Sequence, residues 1–135
     1  MYFNSKRDIW MGAIHLLAVF ILIIVPIARA EEFSFILIIT LIVPGIISLL
    51  MWFRTGYKIT NDELVIIYGP IKFRIDVHKI QTINHMKSPF VGPALSVDRI
   101  GITHSGFKFI TISPKDKEKF IKAVLKINSN IKINK

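Results

Sequence analysis

Residues 9–53 are almost entirely apolar, and the only charged interruption is the tetrapeptide Arg29-Ala30-Glu31-Glu32. The two halves, Ile9–Ala28 and 33–53, each reach the ~20 residues that cross a ~30 Å hydrocarbon core at ~1.5 Å rise per residue. A chain of 135 residues that devotes about a third of itself to this pattern is expected to be a membrane protein with one small domain attached. The expected organisation is a two-helix transmembrane hairpin over 1–54, a folded domain over 55–127 and a frayed tail over 128–135. The 82 residues after Phe53 suffice for one compact domain. That boundary implies a fragment, 55–135, that folds alone.

Flanking charge sets orientation. Lys6 and Arg7 precede the first span, Arg54 and Lys58 follow the second, and the turn between carries Arg29 against Glu31 and Glu32. Both termini are therefore expected in the cytoplasm of a multi-pass plasma-membrane protein. Trp10 and Trp52 then share the cytoplasmic interface, where an indole keeps its N–H wet. Lys6-Arg7, the apolar run and Ala28-Arg29-Ala30 also resemble a secretory signal. The run is too long for one, however, and a second span follows at once. Inside the spans, His15 lies about level with Ser48. An intramembrane ionisable group is a functional candidate by default, but the simpler expectation is a His15–Ser48 hydrogen bond that pairs the helices. Pro44-Gly45 predicts a kink, because proline removes a backbone hydrogen bond.

The net charge of +9 falls wholly after Phe53, where 15 Lys/Arg meet 6 Asp/Glu. Such a domain is drawn to anionic lipid and to nucleic acid alike. A compositional lean towards Ile, Asn and Lys accounts for part of the lysine excess without any role in binding. There is no cysteine, hence no disulfide, thiolate metal site or cysteine nucleophile.

After Gly56 the pattern becomes that of short strands. Residues 57–60 and 63–68 flank Asn61-Asp62, and Gly69-Pro70 turns into 71–75, where Ile71, Phe73 and Ile75 alternate with Lys72 and Arg74. Further strands are expected at 80–86, 95–103 and 107–112, with a loop at 88–93. A C-terminal helix follows, with Ser113 as its cap, Pro114 in its first turn and an apolar stripe of Phe120, Ile121, Val124 and Leu125. The predicted fold is α+β: a small antiparallel sheet or partial barrel of five to seven strands with a C-terminal helix.

The segments Gly56-Tyr57-Lys58-Ile59-Thr60-Asn61-Asp62-Glu63-Leu64, Gly69-Pro70 and Ile75-Asp76-Val77-His78-Lys79-Ile80 resemble the bacterial pleckstrin-homology-like membrane proteins of the YyaB-like type. So do Pro93-Ala94-Leu95-Ser96-Val97-Asp98-Arg99-Ile100 and Ile112-Ser113-Pro114-Lys115-Asp116-Lys117-Glu118-Lys119-Phe120. The resemblance covers about 56–125 and implies a PH-like domain on the cytosolic side. It brings no established activity, and a fold alone supplies none.

The basic signature of phosphoinositide-binding PH domains is not matched, because Lys58 stands 14 residues before Lys72-Phe73-Arg74 and the strand between is apolar. A coarser contact with anionic lipid remains, through Lys58, Lys72, Arg74 and Lys79. Asp98 and Arg99 are adjacent in a strand and so point to opposite faces. Asp98 is expected to accept from a loop N–H, and Arg99 to clamp a carboxylate or helix-end carbonyls. The alternative is an edge that binds a partner together with loop 88–93. His78, His85 and His104 are scattered and form no metal set, and neither a nucleophile elbow nor a phosphate loop is present. A base-reading helix and an aromatic stacking platform are also missing, which argues against nucleic acid.

The expected function is a non-enzymatic, cofactor-free membrane-anchored module. It would bind anionic head-groups, a membrane-protein partner or a second copy of itself. The alternative is a bacteriocin-immunity or envelope-stress protein.

Overall fold

The computed structural model describes residues 1–89, 92–106 and 108–134. The chain opens on a three-residue strand, β1 (Tyr2–Asn4), that its local sequence does not announce. The first long helix follows as α1 (Ile9–Val19), a π-helical stretch Phe20–Ile24 and α2 (Val25–Ala28). Pro26 explains the widened turn: it has no N–H to donate, and its ring crowds the carbonyl four residues back. A turn around Ala30–Glu32 leads to α3 (Phe35–Phe53), capped by Ser34, whose side chain accepts from the Leu37 N–H at 3.3 Å. The second span thus starts two residues later than the apolar run suggests, and α3 continues through Pro44 as one helix.

Both helices are long and apolar enough to cross a membrane, and their faces stay uncovered, with Ile9 at 93 % and Ile36 at 78 % exposure. A core helix of a soluble domain would be buried instead. The two touch where side chains are small. A Cβ on Gly45 would lie 2.5 Å from Ile23 Cγ1, and one on Gly12 would lie 3.0 Å from the Trp52 ring. Small residues permit such close approach in membranes.

The domain contains eight strands among the described residues, in two four-stranded sheets. The first sheet has the order β1-β2-β3-β4, with β2 (Thr55–Ile59), β3 (Glu63–Tyr68) and β4 (Ile71–Asp76), all antiparallel. Gly69 turns β3 into β4 at φ +60, with its N–H on the Arg54 carbonyl at 3.2 Å. A Cβ there would also sit 2.9 Å from the Met51 nitrogen, so only glycine fits against the end of α3. The second sheet has the order β7-β6-β5-β8, with β5 (Ile80–Lys87), β6 (Asp98–His104), β7 (Lys108–Ile112) and β8 (Lys132–Asn134).

One core unites the two sheets. Tyr57, Leu64 and Ile66 from the first meet Ile83, Ile100, Ile102 and Ile112 from the second, and α4 (Lys117–Ile127) closes the end with Phe120 and Val124. The polar surface of α4 lies on its other side, as its stripe predicts.

Three expectations change. First, α4 begins at Lys117, with Asp116 as the cap that accepts from the Lys119 N–H at 3.0 Å. Ser113 is fully buried and engaged elsewhere, so it cannot serve as the cap. Second, residues 132–134 do not fray but run parallel to β5, with Asn134 Nδ2 donating to Asn84 Oδ1 at 2.8 Å; Lys135 lies outside the described residues. Third, the strand expected at 95–103 begins only at Asp98, because Ala94 and Leu95 belong to a segment that folds back over Arg99. Parts of the loop at 88–93 (Phe90, Val91) and the start of the strand at 107–112 (Phe107) lie outside the described residues.

The N-terminal octapeptide is woven into the domain. β1 pairs with β2 through Tyr2–Lys58, Phe3–Tyr57 and Asn4–Gly56, and the terminal amine donates to the Ile59 carbonyl at 2.6 Å. Phe3 is buried edge-on against Phe120, with ring centroids 5.3 Å apart. The helical hairpin is thus the connection between two neighbouring strands, β1 and β2.

Candidate functional site

Charge gathers in two places, and register decides which residues share each. The first is the seam where the octapeptide meets the domain. The carboxylate of Asp98 accepts from Lys6 at 2.9 Å and from Lys117 at the start of α4. These two lysine hydrogen bonds, with their charge, hold its pKa well below the usual carboxylate range, at about 2. Reciprocally, the Asp98 hydrogen bond and charge raise Lys6. Asp8 accepts from Ser96 Oγ and from the Val97 N–H, both at 2.8 Å. The expected loop donor to Asp98 is absent among the described residues, and lysines from two distant segments take its place. A fully buried Tyr57 hydroxyl completes the seam: it donates to the Pro93 carbonyl at 2.7 Å and accepts from the Ser113 N–H at 2.9 Å. Ser5 Oγ lies 3.1 Å from it, and burial pushes the phenol pKa up.

Arg99 points to the opposite face from Asp98 and is 1 % exposed. Its Nε donates to the Ser96 carbonyl at 2.6 Å, and one terminal nitrogen lies 3.5 Å from the Ala94 carbonyl. It therefore clamps the loop that covers it. Burial lowers its pKa, while Tyr57, Tyr68 and Asp8 oppose that shift.

The second place is the outer face of the first sheet. Lys58 on β2, Val65 on β3 and Arg74 on β4 are directly opposite one another, so they share a face with Lys72, two residues from Arg74. Lys58, Lys72 and Arg74 are exposed. Arg74 has one loose ion pair, 3.8 Å to Glu63. Lys79 stands apart, in the short turn Val77–Lys79, 4.0 Å from Asp76. Three of the four basic candidates are thus brought together, and the fourth is not.

Where the helices meet the domain, Arg7 donates to the Phe53 carbonyl at 3.2 Å and lies 5.7 Å from the Trp52 ring centroid. This cation at the C-terminus of α3 complements its dipole. Deeper along the hairpin, His15 Nδ1 and Ser48 Oγ are 2.7 Å apart, and the imidazole tilts over Trp52.

Among the described residues no group of three or more His, Asp or Glu could hold a metal ion. The seam residues Lys6, Asp8, Tyr57 and Lys117 carry no local sequence signal, since each finds its partner far along the chain. A boundary drawn at residue 55 leaves the first two outside the domain altogether.

No curated protein and no solved structure matches the chain. The family described as Bacterial PH domain matches residues 55–128, from the first residue of β2 to just past α4. The two-sheet core with its closing helix agrees with that match, and β1 supplies from outside it the strand that completes the first sheet. The chain belongs to the Bacterial PH domain family.

Proposed function

We propose that this protein is a non-enzymatic module that two membrane spans hold in a fixed pose at the cytoplasmic face of the plasma membrane. In this reading the outer face of β2–β4 meets anionic lipid head-groups. The observation that carries it is the insertion of the hairpin between adjacent strands β1 and β2. Antiparallel pairing of those strands requires both span ends on one side of the bilayer. Lys6, Arg7 and Arg54 at those ends, against the single Arg29 at the turn, favour the cytoplasmic side. Two covalent connections, rather than one flexible linker, then hold the sheet at the leaflet.

The basic residues are graded along the strands. Lys72 lies two residues beyond the Gly69-Pro70 turn, which rests on the end of α3; at ~3.3 Å per residue this is roughly 7 Å. Lys58 and Arg74 are about two residues further from the span end, and Lys79 lies beyond the strand. With screening over ~8–10 Å, Lys72 contributes most and Lys79 least of the ~1 kcal/mol available per surface cation.

Hydrogen exchange on the full-length protein in lipid nanodiscs tests the reading. In discs containing phosphatidylglycerol, the β4 amides should exchange several-fold more slowly than in pure phosphatidylcholine. High salt, or Lys72→Glu with Arg74→Glu, should remove the difference. Equal exchange in the two bilayers at low salt would overturn lipid contact by this face.

A further inference from the structure

We propose that a single anionic phospholipid is held in the slot between the first span and the loop that covers Arg99. The slot is a cavity of about 240 Å³ walled by Trp10, Met11, Ile14 and His15 on one side and by Tyr68 and Arg99 on the other. It is distinct from the outer face of β2–β4 but rests on the same placement of the domain at the leaflet.

Depth identifies the class of occupant. Trp10 to His15 occupy the first turns of α1, so the wall descends roughly 7.5 Å along the span at ~1.5 Å per residue. At that level the surroundings are head-group and upper acyl chain, not bulk water. The volume falls below the ~300 Å³ typical of sites for whole small molecules. It accommodates a phosphate-glycerol portion whose chains continue along the exposed face of Ile14.

The polar groups give the sign of the charge. Arg99 keeps its bonds to the Ser96 and Ala94 carbonyls, and contributes a positive field from the floor. The Tyr68 hydroxyl makes no hydrogen bond among the described residues, although the ring is half-buried. The α1 N-terminus adds its dipole, because Asp8 stands at the cap position without a side-chain cap bond there. Its carboxylate acts on Arg99 through its charge, and Ser96 Oγ and the Val97 N–H already engage it. A cation and an unused hydroxyl therefore line the slot opposite the apolar wall of the first span. A phosphate with acyl chains satisfies all of them.

Native mass spectrometry of the detergent-solubilised full-length protein tests this with phosphatidylglycerol, phosphatidylcholine and inorganic phosphate as probes. One phosphatidylglycerol should be retained with about fivefold preference over phosphatidylcholine, the equivalent of ~1 kcal/mol. Inorganic phosphate should not bind. Ile14→Trp fills the slot from the exposed side of the span, without touching the domain core, and should abolish retention. Lys72→Glu with Arg74→Glu should leave it intact. Equal retention of the two lipids, undiminished retention by Ile14→Trp, or phosphate binding at the same occupancy would each overturn the inference. Slowed β4 exchange in Ile14→Trp would show that contact by the outer face persists when the slot fails.

Discussion

Asp98 and Arg74 both sit on strands, yet their surroundings differ in kind. Asp98 is gripped by Lys6 from the N-terminal segment and Lys117 from α4, and its neighbours Ser96 and Arg99 are buried. Arg74 reaches Glu63 at 3.8 Å with both side chains more than half exposed. Charges at the seam hold together segments nearly a hundred residues apart, whereas those on the outer face of the first sheet hold little in place. A net charge of +9 mixes the two kinds, and only strand register separates them.

This contrast can be broken most severely by removing the octapeptide. Residues 54–135 expressed alone lose β1, the buried Phe3 ring, and Lys6 and Ser5, which engage Asp98 and Tyr57. Truncating one buried aromatic already costs ~3–5 kcal/mol, a large share of a small domain's stability. The fragment should lack a cooperative thermal transition by circular dichroism. Joining residues 1–8 to Arg54 through a short glycine-serine linker should restore it. A sharp transition in the bare fragment would show that the seam is dispensable.

Tyr57→Phe should cost about 1–3 kcal/mol, because it leaves the buried Ser113 N–H and Pro93 carbonyl without their partner. Denaturant titration would read this as a lower midpoint with an unchanged slope.

Asp98→Asn should cost less, about 1 kcal/mol, because solvent reaches more than a third of the Asp98 and Lys6 side chains. Its pH dependence has a definite sign. The folded pKa of about 2 lies below the ordinary carboxylate value of 3.8, so the carboxylate's contribution is complete above about pH 4 and disappears as pH falls towards 2. The melting temperatures of wild type and variant should therefore converge over that window.

Lys72→Glu with Arg74→Glu should change stability by no more than ~0.5 kcal/mol in detergent, as exposed substitutions usually do. A loss as large as that of Asp98→Asn would erase the distinction between the two places.

Much of the architecture is legible in the sequence because its signals are local. Two apolar runs of spanning length, the alternation Ile71, Phe73, Ile75 and the stripe Phe120, Ile121, Val124 each need only a short window. β1 is illegible for the opposite reason. Three residues show no period, and the strand exists only because β2 stands ready beside it. β8 and the helix start behave alike: Asn134 depends on Asn84, and Ser113, an apt cap by type, is claimed by the seam. For the basic face, residue types suggested the members, but only the opposition of Lys58, Val65 and Arg74 showed which of them coincide.

The place of the hairpin between β1 and β2 has a consequence for biogenesis. β1 leaves the ribosome before β2, and that partner follows only after some fifty residues, or several seconds of synthesis at ~5–20 residues per second. During that interval the octapeptide waits unpaired while both helices enter the bilayer. If the two helices insert so that the ends bearing β1 and β2 emerge on opposite sides of the bilayer, the strands are separated and the first sheet cannot close. Completion of the domain thus acts as a check on correct insertion, and a wrongly threaded chain is left with an open edge that quality-control proteases can recognise.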